Sequence, residues 1–235
     1  MRYISPTGSP QRQPLTPHAD TPHQTTPPIE ELLAGYAAGT LPPNLHKLVA
    51  AHLHLRPESR AFVRAIEQIG GQALEAMPCA PMPDRDRKLE AIFAAAERPI
   101  EIRQPPQCAV LPPPLCVLTG RRLDQIPWRL RLPGVREFRL PEDADGFEAT
   151  LYWIKAGKTI PSHTHEGSEV TLVLSGGFSD STGHYERGDV AIADAEVDHH
   201  PKADEGPDCI CFAVTDAPLR LTGPIARFVR RLTGR

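Results

Sequence analysis

Two histidines and a glutamate stand at fixed intervals in IPSHTHEGSEVTLVLSGG, residues 160–177: His163, His165 and Glu169. Neutral imidazole and carboxylate are the donors that borderline divalent ions prefer. In a strand, alternation puts His163 and His165 on one face, and Glu169 follows on the same parity. The three can therefore converge on one ion. Three protein ligands with an open position would suit Lewis-acid or oxygen chemistry, whereas a closed set of four would suit a structural or sensing zinc.

The pattern extends on both sides. Gly157 precedes His163 by five intervening residues, and Gly176 follows Glu169 by six. The run resembles the first motif of the cupin superfamily, a small jelly-roll barrel. The second cupin motif opens on a glycine with a histidine eleven positions later, and Gly188 leads in this way to His199. Asp194 and Glu196 stand where that motif has Pro and Gly, so His199 is preferred to His200 on spacing alone. The expected site is thus His163, His165, Glu169 and His199, holding one divalent metal. Zinc is the first expectation, and iron, manganese or nickel are compatible.

The rest of the chain must position this set. Its 235 residues and 40% apolar content suffice for one large domain or two small ones. A net charge of -3 gives no basic field for nucleic acid. Five scattered cysteines point to a reducing compartment rather than a disulfide framework. The N-terminal MRYISPTGSPQRQ has no apolar core of a secretory signal, and no apolar run reaches membrane-spanning length. A cytoplasmic protein with no membrane contact is expected.

Residues 1–28, rich in Pro and Thr, lack the apolar groups to offset their ordering entropy and are expected to be disordered. From 29 to 98 the period is helical. Ile29, Leu32, Leu33 and Tyr36 form one face, in a helix that should end near Gly39; Leu45, Leu48, Val49, His52 and Leu53 form a second. Pro57 can open a third helix with Phe62, Ile66, Ile69 and Ala73 inward, and Leu89, Ile92, Phe93 and Ala96 mark a fourth. A Pro-rich linker is expected over 99–119.

From 120 to 235 the period becomes two. VREFRL, FEATLYWIK, SEVTLVLSG, DVAIA and CICFAV read as strands with no helix between them, which predicts an antiparallel sandwich or barrel. Ile225, Phe228, Val229 and Leu232 return to helical spacing; a short helix docked on the barrel through Ile225, Phe228 and Val229 is expected, in preference to a membrane-surface or nucleic-acid role for Arg227, Arg230, Arg231 and Arg235. The fold class is therefore α+β and multidomain: a small helical bundle, an antiparallel jelly-roll barrel and a short C-terminal helix. Cys209 and Cys211 share a strand face, either as small packed side chains or as a redox or metal-sensing pair. His184, Glu166, Asp194 and Glu196 read as turn residues.

In this order, LLAGYAAGTLPPNLHKLVAAHL, GRRLDQIPWR, HTHEGSEVTLVLSGGF and DCICFAVTDAPLR resemble the ChrR-type zinc anti-sigma factors over nearly everything from residue 29 onward. The resemblance implies a helical domain that binds an extracytoplasmic-function sigma factor and keeps it from RNA polymerase. It implies a cupin-like domain, with its own zinc, that is needed for release under singlet-oxygen or organic-peroxide stress. It also implies a second zinc in the helical domain, held by a distal His and then His, three residues, Cys, two residues, Cys. Here His52 fits, but the cysteine positions read Arg56 and Ser59, and the distal one falls at Pro27. Guanidinium has no free lone pair for a metal, and serine is a poor zinc ligand. The N-terminal zinc is expected to be absent. The competing expectations are a metal-dependent cupin enzyme of dioxygenase type and a stand-alone metal-binding sensor.

Overall fold

The computed structural model describes residues 29–95, 108–217 and 219–222. The expected disordered tail, residues 99–107 of the expected linker and the expected C-terminal helix lie outside them, while Pro113–Thr119 of that expected linker form a helix whose Leu115 and Cys116 are buried. Five helices come first: α1 (Ile29–Ala38), α2 (Pro43–Leu55), α3 (Ser59–Glu75), α4 (Arg85–Ala95) and α5 (Pro113–Thr119). Strands follow as β1 (Arg129–Leu132), β2 (Val135–Arg139), β3 (Glu148–Ile154), β4 (His163–His165), β5 (Glu169–Ser175), β6 (Gly177–Ser179), β7 (His184–Glu186), β8 (Val190–Ala193), β9 (Lys202–Ala203), β10 (Cys209–Thr215) and β11 (Leu219–Leu221). All pairings among these strands are antiparallel, and the main sheet runs β1-β2-β3-β10-β5-β8. Two smaller sheets, β11-β4 and β7-β6-β9, complete the β domain.

Gly39 ends α1, with φ 69° and its N–H donating to Tyr36 O at 3.1 Å. Two prolines open α2, where no side chain of its own caps the orphaned amides. A carboxylate from the β2–β3 loop does so instead: Asn44 N–H donates to Asp143 Oδ2 at 3.0 Å, and Asn44 Nδ2 to Phe147 O at 2.8 Å. Burial opposes the charge on Asp143, but the backbone amides of Asn44, Phe147 and Asp145 hold its carboxyl below the usual range.

At its centre, β10 and β5, the main sheet is buried on both faces, which is why these strands read as nearly unbroken apolar runs, whereas edge strand β1 is exposed throughout. Along β10, Ile210, Phe212 and Val214 face the helices, while Cys209 and Cys211 face the barrel interior. Leu45, Leu48, Val49 and Leu53 of α2 and Leu115 of α5 join Leu151, Leu172 and Phe212 in one core. At about 25 cal/mol per Å2 of apolar surface, this shared core is the main force joining helices to barrel.

The outer helices differ from expectation. Phe62 and Ile69 were expected to face inward on α3, yet Val63 is its one buried residue and Ile69 is 66% exposed. On α4 nothing is buried, and Ile92 and Phe93 are 62% and 72% exposed. The periodicity is present, but nothing in this chain's described residues covers the face it makes.

Candidate metal centre

Strand β4, the turn that leads from it into β5, and a bridge to the 199 segment build the site. His163 N–H donates to His199 O at 3.0 Å and His199 N–H to His163 O at 3.1 Å, so a two-way backbone bridge sets His199 beside β4. His163 and His165 point to the same side of β4, and both are buried. Glu169 arrives through the turn at 166–168 rather than by continued alternation, and its Oε2 lies 3.5 Å from His165 Nε2. His200 is exposed, which separates it from His199.

Ligand atoms of His163, His165 and His199 lie within 4.8 Å of one another, and among the described residues this is the group able to hold a metal ion. The surrounding bonds fit that role. His163 Nδ1 meets Pro161 O at 2.8 Å, and His199 Nδ1 meets Asp180 Oδ2 at 2.9 Å. Such bonds fix the tautomer and leave Nε2 as the donor to a metal. His165 Nε2 and His199 Nε2 come to 3.4 Å, while His165 Nδ1 is buried without a partner. Burial, joined by the charge of His199, pushes His165 down to about 4; burial likewise lowers His163, against the pull of the Pro161 carbonyl. At neutral pH both rings are therefore in the neutral, ligating form.

Asp180 was not foreseen. Its side chain is almost wholly enclosed, and despite that burial the hydrogen bonds from His199 and Thr182 hold it down to about 2. No spacing in the sequence ties it to His199; the contact is made by the turn after β6. Beside the cluster lies a cavity of about 300 Å3 walled by Val135, Ile154, Ile160, Phe178, Ile192 and Cys211. Cys209 and Cys211 are both buried, and the Cys209 thiol together with burial drives Cys211 well above its ordinary range. His184 sits exposed on β7, bonded to Asp204 at 2.8 Å, and is not among the clustered donors.

The other candidate region is different. His52 is buried, with Nδ1 2.8 Å from Gly188 O and Nε2 2.9 Å from Ser59 Oγ. Arg56 Nη2 lies 2.7 Å from Asp189 Oδ1. Gly188 has φ 94°, and a Cβ there would come 2.8 Å from Arg56 Nε, so only glycine admits this approach. His52 and Arg56 tie the end of α2 to the turn before β8, and Ser59 braces His52.

Residues 119–218 match the family model described as the ChrR cupin-like domain. The Anti-sigma-E factor ChrR of Cereibacter sphaeroides is 40% identical over 203 residues, covering 86% of this chain and 94% of its own. This chain belongs to the ChrR family. The crystal structure of Rhodobacter sphaeroides SigE in complex with the anti-sigma ChrR superposes on it with a TM-score of 0.68 at 38% identity, covering 80% of this chain and 96% of that one. For this ChrR-family chain, no helix among the described residues is long and apolar enough to cross a membrane.

Proposed function

We propose that this protein is a cytoplasmic anti-sigma factor. Its helical domain (29–98) sequesters an extracytoplasmic-function sigma factor, and its barrel (120–235) holds a divalent metal that governs release under singlet-oxygen or peroxide stress. The observation that carries the reading is the uncovered apolar face of α3 and α4. Ile69, Leu74, Ile92 and Phe93 are all exposed on helices of a chain whose 40%-identical relative is named an anti-sigma factor. Monomeric proteins rarely leave such a patch bare, and an amphipathic helix pair is a common receptor for another helical protein. The metal is zinc, with His163, His165, His199 and Glu169 as its ligands, and the N-terminal zinc is absent. No nucleic acid contact is needed, because inhibition acts through the sigma factor.

Titration of the purified protein with an extracytoplasmic-function sigma factor of its own organism tests the reading. Nanomolar to low-micromolar binding is expected. Leu74→Asp and Phe93→Asp should each weaken it tenfold or more while leaving thermal stability unchanged, since neither side chain is buried. No complex at micromolar concentration would overturn the proposal.

A second reading, a metal-dependent enzyme, has the apolar cavity beside the histidines in its favour. Metal analysis separates the two. Tightly held zinc without turnover belongs to the regulator; stoichiometric iron with oxygen uptake belongs to the enzyme.

A further inference from the structure

A second cluster of reactive groups lies away from the barrel interior, where α5 meets α2. Leu111 N–H donates to Cys108 Sγ at 3.4 Å, and Cys116 Sγ donates to Leu111 O at 3.3 Å. One residue's amide and carbonyl thus bridge two thiols. Their settings differ. Cys108 is partly open to solvent, whereas Cys116 is buried on α5 inside the shared core. Burial works against charge on Cys108. It is outweighed by the backbone amides of Leu111, Leu123 and Val110 and by the Arg122 guanidinium, which hold the thiol below its ordinary range. Burial pushes Cys116 up, and charge on nearby Cys108 pushes it further. A solvent-reachable sulfur facing convergent donors, next to a protonated thiol, is the arrangement of an attacking and a resolving cysteine. Cys79 is more exposed but has no such cradle, and Cys209 and Cys211 are buried.

We propose that Cys108 is a redox-active thiolate oxidised by hydroperoxides, with Cys116 as its resolving thiol. The Cys108 thiolate attacks the terminal peroxide oxygen. The O–O bond breaks, an S–O bond forms, and the OH group moves onto sulfur. The departing alkoxide or hydroxide takes a proton from water. Sulfur is oxidised by two electrons and the peroxide is reduced. Cys116, deprotonated, then attacks the Cys108 sulfenic acid: S–S forms, S–O breaks, and hydroxide leaves as water with the proton that Cys116 gave up. Two thiols and one hydroperoxide give one disulfide, one alcohol (or water) and one water. Leu111 and α5 must rearrange, because Cys116 gives up its bond to the Leu111 carbonyl. The site stands apart from the sigma-binding reading and survives its failure.

The test uses the full chain with hydrogen peroxide at neutral pH, quenched by alkylation and read by peptide mass spectrometry. Cys108 is expected to leave the alkylatable pool at least tenfold faster than Cys79, with a Cys108–Cys116 disulfide that dithiothreitol reverses. In Cys116→Ser the Cys108 sulfenic acid should persist and be trapped by dimedone. Should that buried substitution fail to fold, the exposed Arg122→Ala serves: it should slow alkylation of Cys108 by iodoacetamide about threefold and leave Cys79 unchanged. Equal rates at Cys108 and Cys79, or a disulfide from Cys108 to any other cysteine, would overturn the proposal.

Discussion

Two regions of this molecule place buried histidines among polar partners, and they have opposite consequences. At His52 both ring nitrogens are consumed, one by Gly188 O and one by Ser59 Oγ. In the barrel, His163 and His199 are each anchored through Nδ1 only, by Pro161 O and Asp180, and the remaining nitrogens turn toward one another. A histidine with both nitrogens bonded within the protein is a structural strut. Several anchored through one nitrogen, with the others convergent, form a donor set. Arg56 and Ser59, which stand where the resemblance implied cysteine ligands, therefore leave no hole. Arg56 bonds to Asp189 and His52 to Gly188 O, holding the end of α2 to the barrel, while Ser59 Oγ braces the His52 ring.

The sharpest way to break this comparison is to count metals. The intact protein should carry one divalent ion per chain by elemental mass spectrometry. His163→Ala should carry none, since removing one of three clustered imidazoles leaves too few donors for tight binding. His52→Ala should still carry one, although it loses about 2 kcal/mol of stability with its two buried hydrogen bonds. Two ions in the intact protein, or loss of the ion in His52→Ala, would show that the two regions are not the opposites described.

A smaller effect sharpens the barrel side. Asp180 holds His199 from behind, and its counterpart at His163 is only a backbone carbonyl. Replacing such an outer partner costs about 10–100-fold in metal affinity. Asp180→Asn should fall in that range in a competition titration with a chromogenic chelator, with the ion count at saturation unchanged. An unaltered affinity would mean that the backbone bridge between His163 and His199 alone orients the ring.

How much of this could be read from the chain depends on the range of each interaction. The strands β3, β5, β8 and β10 and the convergence of His163, His165 and His199 were legible, because alternation and the glycine-framed spacing are local. Asp180 was not: it lies in a polar turn, and its meeting with His199 exists only once β6 and the 199 segment are folded together. The helical period at Ile69 was read correctly as an apolar face but turned inward, and Ile92 and Phe93 were read only as marking a helix, since a sequence does not distinguish a face that covers its own chain from one that awaits a partner. Arg56 and Ser59 were read as the loss of a metal site. The bonds of Arg56 to Asp189 and of His52, braced by Ser59, to Gly188 O reach residues more than a hundred positions away and left no local signal.

The smallest predicted effect probes the first of these bonds directly. Arg56 and Asp189 lie 2.7 Å apart, with side chains 33% and 38% exposed, so solvent screens much of their attraction. Pairs of this kind contribute about 0.2–1 kcal/mol. A double-mutant cycle over Arg56→Ala and Asp189→Ala in urea unfolding should return a coupling in that range, and it removes the background from the weaker Arg56–Glu58 approach at 3.9 Å. The position of the effect says more than its size. Hydrogen exchange should quicken at the C-terminal turn of α2 and at β8, which carries Ala191, Ile192 and Ala193 along the cavity wall, and should stay unchanged on α3 and α4. A coupling near zero with no change at β8 would mean that the shared core alone docks the helices. Coupling that reaches β8 would make the Arg56–Asp189 pair a mechanical contact between the helices and the wall of the candidate metal site.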